Sequence, residues 1–280
     1  MKKKKSPWSR LCVGTIMTFL YAPIVVLIIF SFNKSKSRAL WTGFTLDWYR
    51  KLFTNDKILT AFGNTIVIAV ISAVIATILG TFAAIGIFSM KKRTKSLILN
   101  ITYMPILNPE IVTGVSLLLL FVSFQQLLVI INNAFGTALS FEMGITSLVL
   151  AHISFSVPYV ILNVIPKLRQ QDKFIYEAAL DLGCSPFEAF WKVVIPQIMP
   201  GIVSGMLMAF TFSLDDFIIS YFVTGPKFQT LPIEIYSMTR KKVSPEINAL
   251  STVVFIVVLM VLTFSNYLDA KKEKQKAKQY

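Results

Sequence analysis

The sequence predicts an all-α polytopic membrane protein with six transmembrane helices. Hydrophobic residues fill 55% of the 280 positions and charged residues only 15%, whereas a soluble domain carries about 25% charge. The apolar residues form blocks of about 20 or more, the length of helix that crosses about 30 Å of hydrocarbon. Such blocks must form helices, because lipid offers no hydrogen-bond partners to backbone N–H and C=O groups. The predicted spans are residues 11–31, 63–88, 97–124, 146–166, 198–223 and 247–267.

Basic residues determine the predicted orientation of these spans. With the N-terminus inside, the inner segments hold 18 of the 28 Lys and Arg residues. Because cytoplasmic loops concentrate positive charge, both termini are predicted to be cytoplasmic. The net charge of +14 is therefore a topology signal, and no nucleic-acid partner is expected, since no aromatic-basic platform accompanies it. The first apolar run is too long for a signal peptide and is predicted to be a retained span.

Small residues on the second span predict close helix packing. They recur every four residues at Ser72, Ala76, Gly80 and Ala84. Such a ridge lets the backbone of a neighbouring helix approach closely, which explains it better than a direct role in transport. In the fourth span, Pro158 is expected to interrupt the helix.

The segment between the fourth and fifth spans, residues 174–196, is too polar to cross the membrane. Its first helix is predicted to end at Gly183, the residue type best suited to a C-terminal cap. Ser185 is predicted to begin a second helix, with Glu188 completing a capping box, and prolines from Pro196 onward are expected to end it. By its residues alone the segment is either an amphipathic hairpin at the membrane interface or a docking element for a soluble partner.

Acidic residues within spans are costly to bury, so each is a candidate site. Glu110 lies in a proline-broken part of the third span, and Asp215 and Asp216 lie toward the outer end of the fifth. At about 1.5 Å per residue, Glu110 is about 20 Å and Asp215 about 24 Å from the cytosolic helix ends. No Lys or Arg in the spans neutralises them, so they predict one cavity for a multivalent organic cation.

Alternative roles remain for some of these polar residues. Either Asp215 or Asp216 is expected to cap a broken helix or hydrogen-bond to a neighbouring span, and the sequence leaves open which one. The lone His152 is expected to hydrogen-bond within the bundle. No cluster of His, Cys, Asp or Glu has the spacing of a metal site.

The stretch EAALDLG, followed nine residues later by VVIP, resembles the EAA loop of ABC-importer permeases. The residues that match the loop's pattern are Glu177, Ala178, Ala179, Gly183 and Pro196. The resemblance implies a type I importer permease (MetI-like) fold. It implies a single membrane domain over residues 1–280, a core over residues 60–267 and a cytoplasmic coupling loop over residues 174–196.

The same resemblance implies how the protein would be energised. In such permeases the loop lies in a cleft of a separate ATP-hydrolysing subunit and transmits its closure to the spans. This chain contains no GxxxxGK[ST] stretch, the phosphate-binding loop of nucleotide hydrolases. We therefore expect no enzyme activity and no cofactor of its own, with ATP bound by a dimer of partner ATPase subunits.

Residues 31–56, 108–121 and 210–252 resemble the second permease subunit of spermidine/putrescine importers. The likeness implies polyamine import across the cytoplasmic membrane of a bacterium, together with a second, homologous permease. It also implies an extracytoplasmic polyamine-binding protein, which would dock on the outer loops at residues 32–62 and 224–246.

The resemblance also implies roles for individual residues. Glu110 and either Asp215 or Asp216 would contact ammonium groups, and Tyr221 or Phe222 would lie against methylene linkers. Two alternatives stay open. The same architecture could carry iron, thiamine or sulfate, because related permeases share parts of the pattern. The chain could also be an ion-coupled secondary transporter that uses Glu110 and Asp215 as proton sites.

Overall fold

The chain is almost entirely helical in its computed structural model, which describes residues 7–35, 40–226, 228–241 and 245–276. Extended pairing among these residues is limited to one isolated bridge between Asn33 and Phe44. In chain order the elements are α1 (Pro7–Phe30), α2 (Asp47–Thr54), α3 (Asp56–Ser89), α4 (Lys92–Leu107), α5 (Glu110–Phe135), α6 (Ile145–Gln170), α7 (Lys173–Asp181), α8 (Pro186–Ala189), a π-helical turn (Phe190–Val194), α9 (Ile195–Asp215), α10 (Ile218–Val223), α11 (Leu231–Lys241) and α12 (Pro245–Lys276).

The described residues include five helices that are long and apolar enough to cross a membrane. Their ranges are Leu11–Phe30, Asp56–Ser89, Glu110–Phe135, Ile145–Gln170 and Pro186–Asp215. The sixth predicted span, residues 247–267, lies within α12, whose apolar part among the described residues is Pro245–Met260. The predicted all-α polytopic class is therefore confirmed.

The third predicted span, residues 97–124, is broken at its prolines, as the sequence predicts. The structure divides it into α4, which ends at Leu107, and α5, which begins at Glu110. Pro109 has no N–H to donate, and its ring disfavours a helical conformation for the residue before it. Asn108 accordingly adopts an extended conformation, with ψ of 139°, and the helix stops there.

The fifth predicted span, residues 198–223, is also broken, and the structure corrects where it begins. α9 ends at Asp215, and Asp216 is extended, with ψ of 118°, before α10 begins. At its other end, Pro196 does not terminate a separate loop helix, because α8 continues through the π-helical turn into α9. Prolines and π-helical turns both disturb the regular hydrogen bonds of an α-helix, and here the π-helical turn lies just before Pro196.

α6 is the central helix of the larger part of the molecule, and it continues through Pro158, so the expected interruption is wrong. Neighbouring helices shield the backbone that a proline disturbs within a bundle. Val160, two residues further along, is fully buried between α3 and α9. A Cβ atom added to Gly80 would lie 2.6 Å from Val160 Cβ, and one added to Gly205 would lie 3.0 Å from Val160 Cα. The three helices therefore meet at backbone distance.

The ridge of small residues predicted on the second span lies in the buried core. Its four members, Ser72, Ala76, Gly80 and Ala84, are all buried. This confirms that the ridge is a packing surface. A large side chain at these positions would separate α3 from its neighbours.

The chain divides into two compact units, which are Ala61–Ile233 on one hand and Met1–Thr60 with Glu234–Tyr280 on the other. In the second of these, Trp48 on α2 is buried, and its indole N–H donates to Asn33 O at 2.8 Å. The short helix α2 is thus anchored within its own unit by a buried aromatic side chain.

We expect Gly80→Ala to destabilise the folded protein, because the added methyl group would overlap Val160 Cβ. Overpacking of this kind costs about 1–3 kcal/mol. The measurement is the thermal unfolding midpoint of the purified protein in detergent, compared with that of the unchanged chain.

Gly86→Ala is the matched control, because it lies on the same helix and nothing lies within 4 Å of the added Cβ atom. It should be neutral or stabilising by up to about 1 kcal/mol, since Ala favours helix over Gly. Equal midpoints for the two variants would contradict the close contact with Val160.

Candidate functional site

A cavity of about 500 Å³ lies where the two broken spans of the larger unit come together. One side is the junction of α4 with α5, another is the junction of α9 with α10, and α6 contributes two aromatic residues. The lining residues are Pro105, Ile106, Asn108, Pro109, Glu110, Thr113, Phe155, Tyr159, Phe212, Asp215, Asp216, Phe217, Ile218 and Ile219.

All three acidic residues singled out from the sequence line this cavity. Glu110 is the first residue of α5 and Asp215 is the last residue of α9, and both are exposed. A carboxylate is favourable at a helix N-terminus, which stabilises Glu110, but unfavourable at a helix C-terminus, where Asp215 lies. A cation bound beside Asp215 would relieve that electrostatic cost.

Glu110 and Asp215 form no ion pair with any residue that the structure describes. Ion pairs in the described chain join Lys192 to Glu188 and His152 to Asp216. The cavity thus holds two carboxylates whose charge no neighbouring Lys or Arg balances. Such a site attracts cations.

Asp216 differs from Asp215, because its side chain is only 6% exposed and its carboxylate is fully engaged. Its two oxygens accept hydrogen bonds from the backbone N–H of Ile219 at 3.3 Å and of Ser220 at 2.7 Å. His152 Nε2 lies 3.5 Å from Asp216 Oδ2. Asp216 therefore caps the broken helix, the role that the sequence left open for one of the pair.

Aromatic rings form much of the remaining wall. Phe155 and Tyr159 stand one turn apart on α6, and the Tyr159 ring lies 4.5 Å from that of Phe212, centroid to centroid. Sequence reasoning did not identify these rings as part of the site. The signal was their spacing of four residues around Pro158, which places both on one face of α6.

The two aromatic residues that the resemblance pointed to lie on α10 and are not among the residues lining this cavity. Tyr221 is exposed, and its ring lies 5.6 Å from that of Phe217, which does line the cavity. Phe222 is half-buried against α5, where a Cβ atom added to Gly114 would lie 2.8 Å from its ring. A role for Tyr221 or Phe222 in substrate contact remains a prediction.

The loop between α6 and α9 adopts the helix-turn-helix that the sequence predicts. α7 ends at a turn in which Gly183 has a φ of +89°, a conformation that strains any residue with a side chain. Ser185 Oγ accepts from the Glu188 backbone N–H at 3.2 Å, and the Ser185 backbone N–H donates to Glu188 Oε2 at 3.2 Å. This is the expected capping box.

The surface of this loop carries large apolar side chains that are exposed. Leu182 is 86% exposed and Phe187 is 73% exposed, at either side of the Gly183 turn. Among the residues that match the EAA pattern, Glu177, Ala178, Gly183 and Pro196 are exposed and Ala179 is half-buried. The pattern therefore marks a surface that is available to a partner.

One side-chain hydrogen bond ties this loop to the end of α6. Gln171 Nε2 donates to Val194 O, the last carbonyl of the π-helical turn, at 3.0 Å. The bond crosses between the two ends of the loop. It supports the junction through which α8 continues into α9.

No group of three or more His, Cys, Asp or Glu residues in the described chain is arranged to hold a metal ion. The geometry instead offers two surfaces: an acidic, aromatic cavity at the helix breaks and an apolar loop between α6 and α9.

Comparison with known proteins identifies the type of membrane protein. Residues 76–271 match the family described as binding-protein-dependent transport system inner membrane component. The chain is 40% identical over 274 residues to the putrescine transport system permease protein PotI of Escherichia coli (strain K12), covering 97% of this chain and 94% of that protein. It is 36% identical over 269 residues to the spermidine/putrescine transport system permease protein PotC of the same strain, covering 95% of this chain and 96% of that protein.

A solved structure supports the fold. A chain from a bacterial ABC transporter involved in the import of the acidic polysaccharide alginate superposes with a TM-score of 0.73 at 16% identity, covering 94% of each chain. At that identity the likeness concerns the fold alone. The resemblance drawn from the loop sequence is therefore confirmed: the chain belongs to the family of binding-protein-dependent transport system inner membrane components, and it is a multi-pass permease of the bacterial inner membrane.

Proposed function

We propose that this chain is the permease subunit of an ATP-driven importer that carries polyamines into the cell. The observation that carries the proposal is the cavity in which Glu110 and Asp215 present two carboxylates without an ion-pair partner in the described chain. The two relatives that transport putrescine or spermidine cover nearly the whole chain, which supports the same substrate class here.

The cavity matches the chemistry of a polyamine. Such a molecule carries ammonium groups at neutral pH, joined by apolar methylene linkers. Carboxylates bind the ammonium groups by charge-assisted hydrogen bonds, and aromatic rings pack against the linkers. Rings such as Tyr159 and Phe212 would add about 0.5–2 kcal/mol wherever an ammonium group lies over a ring face. A sulfate importer would need the opposite charge.

Energy enters through the loop between α6 and α9. The sequence has no phosphate-binding loop, so a separate ATPase must bind and hydrolyse ATP. The exposed apolar side chains of Leu182 and Phe187 form a surface that an apolar cleft on that ATPase would bury. Closure of the ATPase dimer would then move the loop and switch the cavity between outward and inward access.

The proposed assembly contains further subunits. A second, homologous permease would complete the translocation path, and an extracytoplasmic binding protein would deliver polyamine to the outer loops. In the proposed orientation both termini and the α7–α8 loop face the cytoplasm, because the inner segments then carry most of the basic residues.

The transporter class and the site are tested together with the complex purified through a tag on this chain and reconstituted into liposomes. Putrescine or spermidine uptake should follow ATP supply and ignore an imposed proton gradient. Glu110→Gln and Asp215→Asn should each lower uptake, as kcat/KM, by at least about tenfold, because each removes a charged hydrogen-bond partner of an ammonium group, worth about 1.5–3 kcal/mol.

Glu142→Gln is the control, since it removes one exposed negative charge that does not line the cavity. Its uptake should equal that of the unchanged complex. Uptake driven by the proton gradient without ATP would instead indicate an ion-coupled transporter. ATP-dependent import of iron or thiamine, with none of a polyamine, would keep the class and reject the substrate.

We expect Phe187→Ala to weaken the hold of the ATPase on the permease, because this exposed ring would become buried at the subunit contact. The expected loss is at least about tenfold in affinity, since a buried aromatic at an interface is typically worth about 2 kcal/mol or more. The measurement is the amount of ATPase retained on the tagged permease during washing.

Phe135→Ala makes the same truncation at another exposed ring, on the far end of α5, and should retain the ATPase fully. The permease itself should remain as stable in both variants, because neither ring is buried in the chain. Full retention of the ATPase by Phe187→Ala would place the contact elsewhere.

A further inference from the structure

His152 is a buried polar residue beside the cavity, and the proposed transport chemistry makes no use of it. Its side chain is 1% exposed. Nδ1 hydrogen-bonds to Ser213 Oγ on α9, and Nε2 lies 3.0 Å from Ser220 Oγ on α10. Nε2 also lies 3.5 Å from Asp216 Oδ2. From α6, His152 therefore joins the helices on both sides of the break in the fifth span.

Removing one member of this network would leave buried polar groups without hydrogen bonds, which lowers the stability of the fold. Ser213 and Ser220 are both buried, so each hydroxyl needs a partner within the protein. A fully satisfied buried network holds its members in one arrangement, because any alternative leaves a polar group without a hydrogen bond. By its hydrogen bonds to both helices, His152 thus fixes the position of the junction of α9 with α10.

At this junction the two adjacent aspartates differ, although both line the cavity. The Asp216 carboxylate is only 6% exposed and is held by His152 and the amides of α10, whereas Asp215 is exposed. Of the three acids at the cavity, only Glu110 and Asp215 are then free to meet a cation. The number of free carboxylates that this chain presents depends on where Asp216 is held.

We propose that His152 is a positioning residue that sets amine selectivity by keeping the Asp216 carboxylate turned toward α10, so that it does not bind an amine in the cavity. This inference rests on the proposed polyamine transport and adds a determinant to it. Two free carboxylates match the two ammonium groups of a diamine. Releasing Asp216 would add a third carboxylate and would favour a triamine such as spermidine over a diamine such as putrescine.

The hydrogen-bonding geometry of His152 distinguishes two substitutions. In His152→Asn the shorter amide can replace Nδ1 toward Ser213 but cannot reach Ser220 and Asp216. In His152→Gln the longer amide places a donor near the position of Nε2. The selectivity should therefore change in the Asn variant and be retained in the Gln variant.

The experiment measures kcat/KM for spermidine and for putrescine in the reconstituted complex and takes their ratio. His152→Asn should raise the spermidine-to-putrescine ratio by at least about fivefold, the effect of one added charge at a partly screened distance. His152→Gln should stay within about twofold of the unchanged complex. The double variant His152→Asn with Asp216→Asn should return the ratio to its original value, because the released carboxylate is then absent.

These outcomes distinguish a specific effect of His152 on Asp216 from a non-specific disturbance of helix packing. An assembled His152→Asn complex with an unchanged ratio would overturn the inference, and so would a shift that persists in the double variant. If the complex with His152→Asn does not assemble, the single variant Asp216→Asn tests the inference in its place. An unchanged spermidine-to-putrescine ratio in Asp216→Asn would support the inference. A selective loss of spermidine uptake would overturn it, because Asp216 would then be a direct amine ligand. If the complex with the unchanged chain imports neither amine, the proposed function itself is rejected.

Discussion

The hydrocarbon core of a bilayer offers no hydrogen bonds to an open backbone, and this constraint governs both helix breaks in the chain. A helix that stops within the membrane leaves amide and carbonyl groups without intrahelical partners. At the second break, Asp216 accepts hydrogen bonds from the amides of Ile219 and Ser220. At the first, Pro109 has no amide proton to satisfy. Both breaks also border one cavity, so protein or water faces them where lipid otherwise would.

The same constraint explains why the acidic residues are where they are. Glu110 begins a helix and Asp215 ends one, and such ends are the places in a span where polar side chains reach a cavity. The close packing of α3, α6 and α9 around Val160 gives these helix ends a rigid support. In the proposed function, selectivity for organic cations would depend on which carboxylates are free, and His152 would help to determine that.

Periodicity and composition predicted much of this arrangement, and the remainder depended on tertiary contacts. The apolar blocks predicted the class, and the capping box at Ser185 and Glu188 was predicted residue by residue because both partners are local in sequence. Two prolines gave a misleading signal: Pro158 lies within a continuous helix, and Pro196 follows a π-helical turn without ending the helix. Pro109, by contrast, does break the third span, as predicted. The separate roles of Asp215 and Asp216 could not be predicted, because they depend on His152, more than 60 residues away in sequence.

In the proposed mechanism one continuous element links the energy source to the substrate. From Pro186 to Asp215, 30 residues form an unbroken helix, about 45 Å long at 1.5 Å per residue. Its first turn belongs to the loop that the ATPase would hold, and its last residue lines the cavity. A movement of the loop would therefore be carried along one continuous helix to a wall of the cavity.

The central claim is that the cavity between the two helix breaks is a water-filled site for an organic cation. It is tested most directly by placing a single cysteine at Thr113, which lines the cavity, in a chain whose Cys12 and Cys184 are replaced by Ser. A positively charged thiol reagent should modify Thr113→Cys, and putrescine should slow that reaction, whereas Leu119→Cys, an exposed position of α5 outside the cavity, should react slowly with or without putrescine. Failure of the reagent to reach Thr113→Cys, or a reaction that putrescine does not slow, would contradict the account.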